Sequence, residues 1–305
     1  MKQDSPSQLT NARLCDIGIV AADMEKTIDR LEALGIGPFL APKPDPAVQG
    51  MYFRGELLKG DFRATVAYPG DANIEVFEIH TKPSPWEALI TARGEGIHHL
   101  GFHIDDVDKE ANRLTARGAE VVLACMGRGK MEAAYVDLKV GNIVIEIMSY
   151  PRPEQPSPAD MTFAKPWDVA VLVKDLDKAM ARMETLGIGE VVKGGGPPEG
   201  AEGLFYRGKL LESGFKARLI RVGNMNMEFI QPDNKPNPWS EFLKTKGEGF
   251  HHVGFYVKDV EGAVKRLTSL GAEVPFYGKI HGKVGAAYVD MKTANLFVEL
   301  TNFMS

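Results

Sequence analysis

A chain of 305 residues that is 44% apolar and 25% charged is long enough for two soluble globular domains, each with its own core. Its net charge of -5 leaves no basic face, which excludes nucleic acid and anionic membrane as expected partners. Only two cysteines are present, Cys15 and Cys125, which excludes a disulfide scaffold and reads as two buried reduced thiols.

The first eleven residues are polar and contain no apolar signal segment, and no run approaches membrane-spanning length, so a cytoplasmic protein is expected. Residues 14–20 form a short apolar, β-branched run, a strand. Asp23 then offers a helix N-cap, and Met24, Ile28, Leu31 and Leu34 recur about one helical turn apart. Gly35-Ile36-Gly37-Pro38 ends that helix. Extended segments are expected at 51–58, 62–68 and 73–79, and a short helix at 86–91. The order then repeats: a strand over 97–104, an amphipathic helix over 107–117, and strands near 120–124, 133–137 and 142–148.

The second half restates the first. Gly96-Ile97-His98-His99-Leu100-Gly101-Phe102 returns as Gly249-Phe250-His251-His252-Val253-Gly254-Phe255. Across 94–121 and 247–274, roughly 16 of about 28 positions are identical without a gap, which marks an internal duplication. The expected organisation is a first domain over 12–150, a proline-rich linker over 151–163 and a second domain over 164–303. Each half contains two βαβββ units, so the fold class is α+β with four units in two pairs.

Each unit's first strand carries one polar residue in an apolar run: Asp16, His99, Asp168 and His252. Each unit's last strand carries one acid: Glu75, Glu146, Glu228 and Glu299. An ionised carboxylate in an apolar strand is costly unless something positive meets it. A divalent metal would meet that demand, and imidazole with carboxylate suits Mn, Fe, Co, Ni or Zn, one ion in each half. Arg54 and Arg207, in matching Phe/Tyr-Arg-Gly turns, are candidates to hold a substrate carboxylate or phosphate; the alternative is an arginine closing a surface turn.

His-His-Val-Gly-Phe strands and Val-Glu-Leu closing strands over Leu14 to Thr301 resemble the vicinal oxygen chelate superfamily, which includes glyoxalase I, methylmalonyl-CoA epimerase, extradiol dioxygenases and bleomycin-resistance proteins. The wording around Lys235-Pro236-Asn237-Pro238-Trp239 and His252 is most similar to the epimerase-like branch. The resemblance implies a curved mixed sheet from each pair of units, surrounding a metal-site cavity. It implies Asp16, Glu75, His99 and Glu146 as ligands in the first half and Asp168, Glu228, His252 and Glu299 in the second. Both halves depart from the family by carrying Asp16 and Asp168 where His or Gln is usual. Asp168 and Glu299 are then ligands or proton carriers in epimerase, isomerase or lyase chemistry beside a carbonyl of a small oxygenated substrate.

The rival implied by the four-unit layout is an extradiol ring-cleaving dioxygenase acting on a catechol, with His281 and Tyr288 in its acid-base positions. A third reading is a non-catalytic protein that binds aromatic compounds. The expected partner is a small molecule, with a homo-oligomer left open.

Overall fold

The computed structural model describes residues 6–41, 49–59, 62–80, 84, 86–149, 162–163, 165–192, 200–212 and 214–302, leaving aside side chains 88, 89 and 93. The first half runs β1 (Arg13–Val20), α1 (Met24–Ala33), β2 (Gly50–Phe53), β3 (Glu56–Leu57), β4 (Phe62–Ala67) and β5 (Asn73–Ile79). It continues with α2 (Glu87–Arg93), β6 (Gly96–His103), α3 (Val107–Thr115), β7 (Glu120–Gly127), β8 (Lys130–Asp137) and β9 (Val144–Met148). The second half runs β10 (Pro166–Leu172), α4 (Leu176–Leu186), β11 (Glu190–Val192), β12 (Ala201–Tyr206), β13 (Lys209–Leu210), β14 (Phe215–Val222) and β15 (Met225–Pro232). There follow α5 (Pro238–Lys246), β16 (Gly249–Tyr256), α6 (Val260–Ser269), β17 (Glu273–Ile280), β18 (Lys283–Asp290) and β19 (Phe297–Thr301).

Four of the helices start in the same way. Asp23, Asp106, Asp175 and Asp259 each accept a hydrogen bond from the amide three residues on, of Lys26, Lys109, Lys178 and Gly262. Each cap satisfies one of the amides that a helix start leaves unpaired.

The strands form two curved mixed sheets, one per half. The first has the order β3-β2-β7-β8-β9-β6-β1-β5-β4, and the second β11-β14-β15-β10-β16-β19-β18-β17-β12-β13. In each, the central strands pair in parallel with the strands that close the repeats (β1 with β5, β6 with β9, β10 with β15, β16 with β19), while β1–β6 and β10–β16 are antiparallel.

The segment expected as one strand over 51–58 is instead a hairpin. Arg54-Gly55 turns it with φ of 49° and 84°, and Arg207-Gly208 does the same with 49° and 77°. Positive φ at both central residues is the tight hairpin turn that matches strand twist. These hairpins do not pair with the strands that follow them. They cross over and extend the sheet at β7 and β17.

Alternate strand residues face a core that both halves share. Ile17, Ile19, Leu100, Phe102, Ile145 and Ile147 belong to the same buried cluster as Val169, Val171, Val253, Phe255, Val298 and Leu300. Helices α1 and α6, and α3 with α4, lie against each other's ends. Arg30 donates to Leu270 O at 2.7 Å, and Arg266 returns the contact to Leu34 O at 3.3 Å. Arg113 donates to Leu186 O at 2.6 Å, and Arg182 to Arg117 O at 2.7 Å. Each guanidinium thus caps the carbonyl end of a helix in the other half, where a positive charge is favoured.

Two smaller clusters, around Trp86 and Tyr135 and around Trp239 and Tyr288, fill the other face of each sheet. Of the linker, only Thr162 and Phe163 are described; Phe163 is buried, with its ring 5.3 Å from that of Phe255. Cys15 is buried as expected, whereas Cys125 is half-buried; the two form no disulfide.

Candidate metal centres

The register of the central strands sets out the polar residues in two staggered rows. Across β5, β1 and β6 one row reads Glu75, Gly18, His99; across β1, β6 and β9 the next reads Asp16, Gly101, Glu146. The second half repeats this with Glu228, Ala170, His252 and with Asp168, Gly254, Glu299. Neighbouring strands are ~4.8 Å apart, so a donor on every second strand leaves about 10 Å for two long side chains to close over the residue between them. That middle residue must be small. A Cβ on Gly101 would stand 2.7 Å from Asp16 Cβ, and one on Gly254 would overlap Asp168 Oδ1. The glycine of the repeated His-His-x-Gly-Phe strand therefore makes room for the aspartate facing it.

This arrangement brings together Asp16, His99 and Glu146 in one half and Asp168, His252 and Glu299 in the other, with donor atoms within 4.8 Å of one another in each triad. His99 and His252 are fully buried, and Asp16, Glu146 and Asp168 nearly so. Glu75 and Glu228 stand outside the triads, although their carboxyls lie close enough to feel them. Burial, then the charges of Asp16 and Glu146, push Glu75 well above the usual carboxylate range. Burial, then Asp168 and Glu299, push Glu228 up to about 8.

The two imidazoles differ. His99 Nε2 is 3.0 Å from Asp16 Oδ2 and 3.5 Å from Glu146 Oε2. Burial pulls this ring down, but the hydrogen bonds and charges of the two carboxylates outweigh it and hold it at about 10. His252 has no such bond, and burial pulls it down to about 4. Its Nε2 is 3.3 Å from Glu299 Oε2, yet it makes no hydrogen bond, since the distance is short but the angle is not a bonding one. Asp168 Oδ1 is also buried without a partner. Burial pushes Asp168 up to about 7, with Glu299 adding to it, and pushes Glu299 itself up to about 7.

Buried polar atoms without partners are rare, and two in one triad are what a bound cation would satisfy. Imidazole with two carboxylates is a donor set for Mn, Fe, Co, Ni or Zn. The residues therefore fit a divalent ion. A second histidine supports each ring: the Nδ1 atoms of His98 and His99 are 3.0 Å apart, and those of His251 and His252 are 2.8 Å apart. One ring must donate to the other. A histidine ligating through Nε2 carries its proton on Nδ1, so the neighbour fixes both tautomer and orientation.

Tyr288 lies over His252 with ring centroids 4.4 Å apart, and Trp239 Nε1 donates to its hydroxyl at 3.3 Å. Tyr135, which sequence reasoning missed, holds the same place over His99 at 4.5 Å. Its signal was the second Ala-Ala-Tyr-Val-Asp, 133–137 beside 286–290. Sequence reasoning also missed the supporting histidines and the spacing role of the glycines.

His281 is not brought to the site. It sits exposed in the turn between β17 and β18 with φ 47°, against Gly200. Five strand steps, Lys283 to Tyr288, separate its turn from Tyr288, about 17 Å at the rise of an extended chain. Arg54 and Arg207 are also exposed, bridging Glu120 at 3.5 Å and Glu241 at 3.0 Å. Arg207 does line a pocket of about 690 Å³, with Tyr206, Phe242, His251 and Tyr288, whereas Asp168, His252 and Glu299 do not line it.

Comparison with known proteins gives the following. A family model described as Glyoxalase/Bleomycin resistance protein/Dioxygenase superfamily matches residues 15–135 and 207–288. The mitochondrial methylmalonyl-CoA epimerase of Mus musculus is 31% identical over 142 residues, which cover 41% of this chain and 71% of that protein. A triple mutant of 4-hydroxymandelate synthase from Streptomyces coelicolor superposes with a TM-score of 0.63 at 19% identity, covering 97% of this chain and 92% of its own. A xylose isomerase-like TIM barrel/4-hydroxyphenylpyruvate dioxygenase fusion protein superposes with a TM-score of 0.60 at 13% identity, over 97% of this chain and 49% of that one. At such identities the two superpositions speak for the fold alone.

Proposed function

Because the chain belongs to the glyoxalase/bleomycin resistance protein/dioxygenase superfamily, a superfamily of metal-dependent enzymes, we propose that it is a divalent-metal-dependent enzyme moving a proton beside a carbonyl, of epimerase, isomerase or lyase type. The observation that carries this reading is the make-up of the triads: one imidazole and two carboxylates each, with a further buried glutamate beside them. Oxygen-activating iron sites of the two-histidine, one-carboxylate kind need a second histidine. The exposed turn position of His281 counts against its serving as the acid-base histidine that a ring-cleaving dioxygenase would use.

In this reading the domains are 12–150 and 164–303, each two βαβββ units, with the crossing hairpin as an insertion in the first unit of each pair. Asp168, His252 and Glu299 would hold the divalent ion, which when bound would supply Lewis acidity toward a substrate oxygen. Glu228 stands outside the triad with its carboxyl pushed up to about 8 by burial and by its acidic neighbours, so it is poised to take or give a proton near neutral pH. Tyr288 and Trp239 form an aromatic wall that keeps water from that exchange. Arg207, at the pocket's rim, is placed to hold an anionic end of the substrate.

The test is turnover in deuterated water under anaerobic conditions, with methylmalonyl-CoA as the first probe because of the mouse relative. The wild type should introduce deuterium beside the carbonyl, and Glu228→Gln should abolish exchange while keeping its metal. Oxygen consumed in step with product from a catechol would overturn the proposal.

A further inference from the structure

The two triads match in residue type but differ in the residue beneath the histidine, and this difference reaches the donor atoms. In the first half that residue is Gly18, and the His99 ring occupies the space a Cβ would fill: a methyl there would overlap the ring. Seated on Gly18, the ring brings Nε2 to 3.0 Å from Asp16 Oδ2. The equivalent residue in the second half is Ala170, fully buried and paired in register with His252. Its methyl takes the place used by the His99 ring. The His252 ring stands off Asp168, and both its Nε2 and Asp168 Oδ1 are left without hydrogen-bond partners.

We infer that the residue at this position sets unequal metal affinity in the two halves, Ala170 holding the second site open for an ion and Gly18 letting the first site close on itself. The inference rests on the reading that both triads hold divalent ions. An ion entering the first site must break a bond between His99 and an acidic partner before it gains a ligand. An ion entering the second finds the nitrogen and one carboxylate oxygen already free. Hydrogen bonds to charged groups are the strong ones, so the first site should bind on the order of tenfold or more weaker. The site that fills first is also the one beside the 690 Å³ pocket.

The probe is Co²⁺ alone, titrated into chelator-stripped full-length protein and followed by calorimetry and by the visible absorption of the bound ion. The expected wild-type result is two successive binding steps, with His252→Ala removing the tight one and His99→Ala the weak one. Ala170→Gly should weaken the tight step toward the other, and Gly18→Ala should tighten the weak one. Ala170→Gly adds no atoms, so its outcome stands even if Gly18→Ala disturbs folding. Two ions bound with equal affinity, or an Ala170→Gly isotherm identical to wild type, would overturn the inference while leaving the metal reading intact. Failure of the wild type to bind any Co²⁺ would overturn both.

Discussion

A carboxylate buried on a strand stays neutral until something positive arrives, and the site should therefore make stability depend on pH. In metal-free protein Glu228 is pushed up to about 8, Asp168 and Glu299 to about 7, each chiefly by burial. His99 is held at about 10, its carboxylate partners overcoming burial. All four bind protons more tightly folded than unfolded, so each favours the folded state at low pH and loses that contribution as pH rises through its folded value. His252, pulled down to about 4 by burial, acts in the opposite sense, but only below its ordinary value of 6.5. Between about pH 7 and 9 the chelated protein should thus lose thermal stability, and a saturating divalent ion should remove most of that loss. A melting temperature that is flat across this window in the presence of chelator would contradict the protonation pattern.

The eight candidate donors are legible in the sequence because one polar residue interrupts each apolar strand and the interruption recurs in four places. Gly18 and Ala170 are not legible, because a small residue in a strand gives no sign of which ring will lie over it. His281 misleads for the converse reason: its position ahead of Tyr288 and Glu299 is right in sequence, but a two-residue turn places it at the far end of the strand.

Helix α3 shows how the elements are held. Glu110 is buried, accepting from Ser7 Oγ at 2.6 Å, from the Gln8 amide at 3.1 Å and from Arg113, which also caps the end of α4. Arg113→Met leaves that carboxylate without its counter-charge, and breaking a buried pair costs roughly 3–5 kcal/mol. The two surviving donors put the expected loss near the lower end, about 3 kcal/mol. Arg63, ion-paired with Glu25 at the surface, is the control: water screens that pair, so Arg63→Met should leave stability close to wild type. Urea denaturation midpoints of the two variants check both expectations, and equal losses would refute the distinction. At this scale the helices are readable from their Asp caps and apolar spacing. The hairpins are not: Met51 to Leu58 looks extended on both sides of Arg54-Gly55, and its crossing to β7 depends on pairing with a segment some seventy residues away.

Length and repetition suggest two domains with a core each, and the whole molecule adds a third, shared core. Since Ile17, Leu100 and Ile145 pack in the same cluster as Val171, Phe255 and Leu300, the halves should not melt separately. Calorimetry of the full chain should give one transition whose calorimetric and van't Hoff enthalpies agree. Two resolved transitions would show that the shared layer contributes little.

The reciprocal arginine caps have a consequence for how such a protein can diverge. They are the contacts of a two-fold pair, each half doing for the other what it receives. Had the pair remained two copies of one polypeptide, every substitution would appear at both sites at once, and the pair would fall apart on dilution. Joined in one chain, the halves remain together at any concentration, and inheritance no longer forces them to match. Under that condition a glycine can lie beneath one triad histidine and an alanine beneath the other.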